Sequence, residues 1–143
     1  MGINLVQTGR GDFELEGVDG LGFGWLHATA SWHPSSNATN IVMVATRAMR
    51  VKAILGRVNV AGTDGSAVTA TVYKAPSGTA LASGTALHTG TFNLKGTAAT
   101  NQALALSATD SDLSIAAGDT IGVVLTGTLT SATGAISVAL TPR

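Results

Sequence analysis

Cysteine is absent from the 143 residues, so neither disulfides nor thiolate metal sites are open to this chain. Charge is scarce: 11% of residues are charged, and the eight basic and eight acidic side chains cancel. Net charge therefore supplies no drive toward nucleic acid or an anionic membrane. Aromatic residues make up 4% of the chain, too few to interleave with basic residues as a single-strand nucleic-acid groove requires. No apolar run approaches the ~20 residues of a membrane-spanning helix; residues 41–45 are among the longest. The amino terminus lacks the basic start and continuous apolar stretch of a signal peptide. The expectation is a protein made and kept in the cytoplasm, or released by lysis.

What remains is an apolar fraction of 45%, built mainly of alanine and valine, with 18 glycines and with threonine and serine between. β-branched residues broken by frequent glycine favour strands. The length suits one domain, which at this size buries roughly 68–70% of its unfolded surface and needs no covalent staples. A weakly charged surface is a poor design for a free monomer and suits a protein that works docked on something.

Charge is not spread evenly. Residues 1–38 set Arg10 against Asp12, Glu14, Glu16 and Asp19, a net of −3. Residues 39–74 set Arg47, Arg50, Lys52, Arg57 and Lys74 against Asp64, a net of +4. Residues 1–20 are glycine-rich without a sustained period and read as an extended arm. Residues 21–143 read as one sandwich domain, clearest from 39 onward. A first strand is expected at 25–32, then a near-continuous apolar run at 39–47 that suits a strand buried on both faces. Residues 50–60 alternate with a fault: Val51, Ala53 and Leu55 share one parity, Val58 and Val60 the other, which places a β-bulge at Gly56. Asp64-Gly65 is a favoured hairpin-turn pair. Further strands are expected at 68–73, 89–94, 102–106, 112–115, 120–126 and 135–141. No window carries a helical period. About eight short strands with glycine turns predict an all-β fold, a β-sandwich or jelly roll.

Chemistry is hard to find. His27, His33 and His88 lack the spacing and third partner of a metal site and read as surface or interface histidines. Glu14 and Glu16 share a face of an extended strand, yet acid–base catalysis needs a pocket and a raised pKa. Asp110 and Asp112 lack the distal glutamate of a calcium loop and read as turn formers. Gly20-Leu-Gly-Phe-Gly24 follows no strand and lacks a P-loop lysine. Arg10-Gly11-Asp12 and the Asn37-Ala38-Thr39 sequon have no supporting context. No cofactor, metal or catalytic residue is assigned. The residues assigned to interfaces are Asp12, Phe13, Glu14 and Glu16 on the arm, Trp25 and Trp32 as aromatic anchors, and Arg47, Arg50, Lys52 and Arg57 as a docking surface for acidic groups. Trp25, Trp32 and Tyr73 leave a sugar platform open as an alternative.

Asp112-Leu-Ser-Ile-Ala-Ala-Gly-Asp-Thr-Ile-Gly-Val-Val-Leu-Thr-Gly-Thr128, followed by Gly134-Ala-Ile-Ser-Val-Ala-Leu-Thr-Pro142, resembles the β-sandwich modules of bacteriophage capsid decoration (cement) proteins and head fibres. The low-charge, alanine-, glycine-, threonine- and valine-rich texture of residues 39–143 is similar as well. The resemblance implies a non-enzymatic virion protein that binds the outside of an assembled capsid as a homotrimer. Its partner would be the major capsid protein, reached partly through the amino-terminal arm, with no nucleic acid and no membrane involved. The alternative is a glycan-binding module of a head fibre or tail adhesin, with surface glycans as partner.

Overall fold

The computed structural model describes residues 4–7, 13–16, 26–32 and 38–143, with side chains for 26–31 and 38–143. Of the expected arm, two short strands are described, β1 (Asn4–Gln7) and β2 (Phe13–Glu16). They pair antiparallel, with Leu5 opposite Leu15 and Gln7 opposite Phe13. The rest of residues 1–20, with Asp12, lies outside the described residues, as do Trp25 and His33.

Ten strands make the body: β3 (Leu26–Trp32), β4 (Thr39–Val44), β5 (Met49–Val60), β6 (Thr69–Ala75), β7 (Thr85–Ala86), β8 (Phe92–Asn93), β9 (Thr100–Ala103), β10 (Ser114–Ile115), β11 (Thr120–Thr126) and β12 (Thr133–Pro142). The only helical turn among the described residues is a 3-10 turn at Leu81–Ser83. One sheet runs β3-β12-β5, with β9 and β10 both paired to the far side of β5. The other runs β4-β11-β6, with β7 and β8 both paired to the far side of β6. All pairings are antiparallel. The chain thus crosses between sheets from β3 to β4, β4 to β5, β5 to β6, β8 to β9, β10 to β11 and β11 to β12. With β7/β8 and β9/β10 each counted as one broken strand, this is the eight-stranded order of a jelly roll, two interlocked Greek keys.

The core forms because alternate residues of both sheets point inward. Val51, Ile54, Val58, Ile136, Val138 and Leu140 from the first sheet meet Ala70, Val72, Ile121 and Val123 from the second, all at most 2% exposed. Phe92 is the one aromatic ring in that core. Its ring lies so close over Gly56 that a Cβ there would stand 2.7 Å from Phe92 Cδ1. Gly56 is therefore an inward-facing position kept bare for Phe92, not the site of the parity fault.

Two irregularities do break β5, at other residues. Leu140 and Ala139, adjacent on β12, face Val51 and Ala53, so Lys52 is the extra residue of a bulge. A second shift sets Thr133 and Gly134 against Val60 and Val58, leaving Asn59 extra. Past Lys52 the inward set becomes Ile54, Gly56 and Val58, and Leu55 turns out to solvent at 52% exposure.

Two other expectations are corrected. Residues 39–47 do not form a doubly buried strand: β4 is an edge strand, and its Ile41 and Val44 are each 56% exposed. Asp64-Gly65 does not close a hairpin, because β5 and β6 belong to different sheets. Asp64 Oδ1 instead accepts the Ser66 N–H at 2.7 Å, an Asx turn within the crossing loop.

The sandwich has two unlike flanks. On one, β7/β8 and β9/β10 are stitched by an antiparallel bridge between His88 and Leu106. Ser107 N–H to Leu87 O (3.0 Å) and Thr89 N–H to Ala105 O (2.9 Å) complete the stitching. On the other flank, no strand among the described residues pairs with the outer edges of β3 and β4.

Candidate interaction surface

The open flank is the first candidate. Among the described residues five large apolar side chains are conspicuously exposed, Leu26, Ile41, Val44, Leu55 and Val60, and the first three belong to its strands β3 and β4. Edge strands of free proteins are usually blunted by lysine, other inward charges or proline. Residues 26–32 and 39–44 contain no Lys, Arg, Asp, Glu or Pro. His27 stands exposed on β3.

The second candidate is the pole where β5 begins and β12 ends. There Arg50 pairs with Asp110, and Arg143 approaches the same carboxylate at 3.5 Å and donates to Ser114 Oγ at 2.8 Å. Lys74 Nζ is held on the backbone carbonyls of Ser111 and Ser114, at 2.6 Å each. The Arg50 hydrogen bond holds the Asp110 carboxyl below the usual aspartate range, helped by the charges of Arg50, Arg143 and Lys52. In return, the Asp110 hydrogen bond raises the Arg50 guanidinium. The remaining carboxylates of this pole are committed to turns. Asp112 Oδ2 accepts from Ser107 Oγ at 2.6 Å, and Asp119 Oδ2 from the Ala116 N–H at 2.9 Å. Of the two aspartates read from the sequence as turn formers, Asp112 ties its own loop together, while the side chain of Asp110 is drawn into the ion pair with Arg50.

The four basic residues assigned to one docking surface are thus divided. Arg47 lies in the β4–β5 loop, with Arg50 and Lys52 just beyond it on β5. Arg57 is separated from them along the strand and donates to Asn101 Oδ1 of β9 at 3.1 Å. Five strand positions, about 17 Å at about 3.4 Å each, hold Arg57 away from Lys52. For Phe13, Glu14 and Glu16 the structure gives only their place on β2, and for Trp32 its place at the end of β3, opposite Gly134. Tyr73 is half-buried on β6.

His88, expected at the surface or at an interface, is 4% exposed. Between β7 and β8 the ladder along β6 is interrupted, and His88 fills the break: Val72 N–H donates to its Nε2 at 3.0 Å. The proton therefore resides on Nδ1, which faces the Thr89 carbonyl at 3.4 Å. Burial pushes the imidazole pKa below its ordinary value, against the opposing pull of the Thr89 and Gly90 backbone. The Phe92 ring meets it edge-on, centroids 5.1 Å apart. Nothing in a lone histidine between threonine and leucine marks it as a strand substitute; only the break in pairing along β6 shows it.

Among the described residues no group of three or more His, Cys, Asp or Glu could hold a metal ion. Compared with protein-family models, with curated proteins and with solved structures, the chain finds no significant match in any of the three.

Proposed function

We propose that this chain is a non-enzymatic virion structural protein that binds the outside of an assembled phage capsid, as a homotrimer, and stabilises it. Jelly rolls serve viral shells and lectins alike, so the fold alone is only an analogy. The observation that carries the reading is the open flank. Two neighbouring edge strands without a single charged residue or proline, bearing Leu26, Ile41 and Val44 exposed, are poorly suited to lifelong contact with water. Docking them would bury apolar area at about 25 cal/mol per Å². A protein that binds only the assembled shell raises that shell's stability by mass action, by about 2.7 kcal/mol when free protein stands at a hundred times its Kd. Of the three rings behind the sugar-platform alternative, Tyr73 is half-buried, and the side chains of Trp25 and Trp32 lie outside the described residues.

The test is co-sedimentation with assembled shells of the cognate phage, alongside the shells' thermal transition. Wild-type protein is expected to pellet with shells and raise their melting temperature. The double variant Ile41→Lys/Val44→Lys should keep its own unfolding transition within about 0.5 kcal/mol, as exposed substitutions usually do, yet remain in the supernatant. Wild-type protein that stays in the supernatant, or a double variant that binds undiminished, would sink the reading.

A further inference from the structure

The neutral net charge of this chain conceals a separation into two opposite parts. Residues 1–37 hold one arginine against four carboxylates, a net of −3, and residues 38–143 hold seven basic residues against four aspartates, a net of +3. Within the body the positive charge gathers at one end. Arg47, Arg50, Lys52, Lys74 and Arg143 all stand near the pole where β5 starts, β6 stops and β12 finishes, against Asp110, Asp112 and Asp119. Asp110 is shared by two arginines, while Asp112 and Asp119 are turned onto a serine hydroxyl and a backbone amide. Arg47 and Lys52, both exposed, carry the surplus, with no ion-pair partner among the described residues.

The acidic segment is tethered at this same pole. β3 joins the sandwich with Leu26 opposite Leu140, two residues before the chain ends in Pro142 and Arg143 and beside Val51. Asp19 lies seven positions before Leu26, a reach of up to about 25 Å. Four strand positions at about 4.8 Å and two sheets about 10 Å apart make a pole narrower than that reach. A segment tethered so closely competes at an effective concentration in the millimolar range.

We infer that the cationic pole around Lys52 and Arg47 is a docking surface for acidic peptide, and that its occupant in the free protein is the chain's own segment from Asp12 to Asp19. Glu14 and Glu16, two apart on β2, fall on the same side of that strand and are the groups that would meet Lys52 and Arg47. The inference stands whether or not the capsid reading holds, because it rests on charge and tether alone.

Zero-length carbodiimide cross-linking of the full chain tests it, using an equimolar mixture of unlabelled and 15N-labelled protein read by mass spectrometry. The expected result is a link between Lys52 and a carboxylate of Asp12, Glu14, Glu16 or Asp19, always within one isotope. It should fall at least tenfold in 1 M salt, where the screening length shrinks to about 3 Å, and in the Glu14→Gln/Glu16→Gln variant. Lys95, at the opposite pole, serves as the comparison. Links that mix isotopes would overturn the inference in favour of a second copy as occupant. Absence of any Lys52 link to this segment, or equal linkage to Lys95, would overturn the docking surface itself.

Discussion

His88 takes the place of a backbone carbonyl. The Val72 N–H lies in the interior of β6, and a buried donor without an acceptor costs about 1–3 kcal/mol. Neutral Nε2 supplies the acceptor; a protonated imidazole cannot. Its folded pKa is depressed by burial, so the unfolded chain binds this proton more readily than the native one. The stability tied to the neutral ring is therefore whole above the ordinary value of 6.5 and is lost as pH falls from there through the folded pKa. Denaturant midpoints measured from pH 8 to pH 5 should fall on the acidic side. In His88→Phe that component should disappear, at a cost of about 1–3 kcal/mol near pH 8 that narrows on the acidic side as the wild-type ring protonates. An unchanged pH profile in His88→Phe would assign the acid sensitivity elsewhere. Gly56 is the complementary case at this scale, a residue whose value lies in what it lacks, because Phe92 occupies the space its side chain would need.

Among the elements, β5 shows how a strand reconciles two alternations. Met49 and Val51 face inward before the bulge, and Ile54, Gly56 and Val58 face inward after it. Removing Lys52 leaves these positions in regular alternation opposite an unbroken β12, so the deletion should fold. Removing Leu55 instead would turn Gly56 and Val58 outward and should abolish the cooperative unfolding transition. Circular dichroism melts of the two deletions separate these outcomes; a folded Leu55 deletion would show that the register of β5 is not held by its buried set. β4 teaches the opposite lesson. Its apolar run reads as a buried strand, yet it sits at a sheet edge, because hydrophobic content alone cannot say whether a second face is covered.

For the whole molecule, the decisive pairing is between the ends. β12 lies between β3 and β5, with Leu26 opposite Leu140 and Ile136, Val138 and Leu140 fully buried. The first sheet therefore cannot close until the last strand arrives, a topology dominated by distant contacts and expected to fold in milliseconds to seconds. A chain ending at Thr133 is expected to show no cooperative unfolding by heat or denaturant. Retention of a sharp transition in that truncated chain would mean the second sheet is stable alone.

Composition and alternation determined the fold class: the strands expected at 25–32, 120–126 and 135–141, found at 26–32, 120–126 and 133–142, and the inward set of Val68, Ala70 and Val72 were legible because side-chain period and turn glycines are local properties. The separation of charge between the first residues and the body was legible for the same reason, being a property of composition. Which residue bulges, which strand lies at an edge, why Gly56 is bare and what His88 holds were not, since each depends on a partner far along the chain. Lys52 is extra only opposite Leu140 and Ala139, Gly56 is constrained only by Phe92, and His88 is an acceptor only where β7 and β8 leave Val72 unpaired. The four basic residues from Arg47 to Arg57 likewise form one group in sequence, and tertiary structure divides them: Arg50 is drawn to Asp110, Arg57 to Asn101, and Arg47 and Lys52 remain exposed at the pole where the acidic segment is tethered.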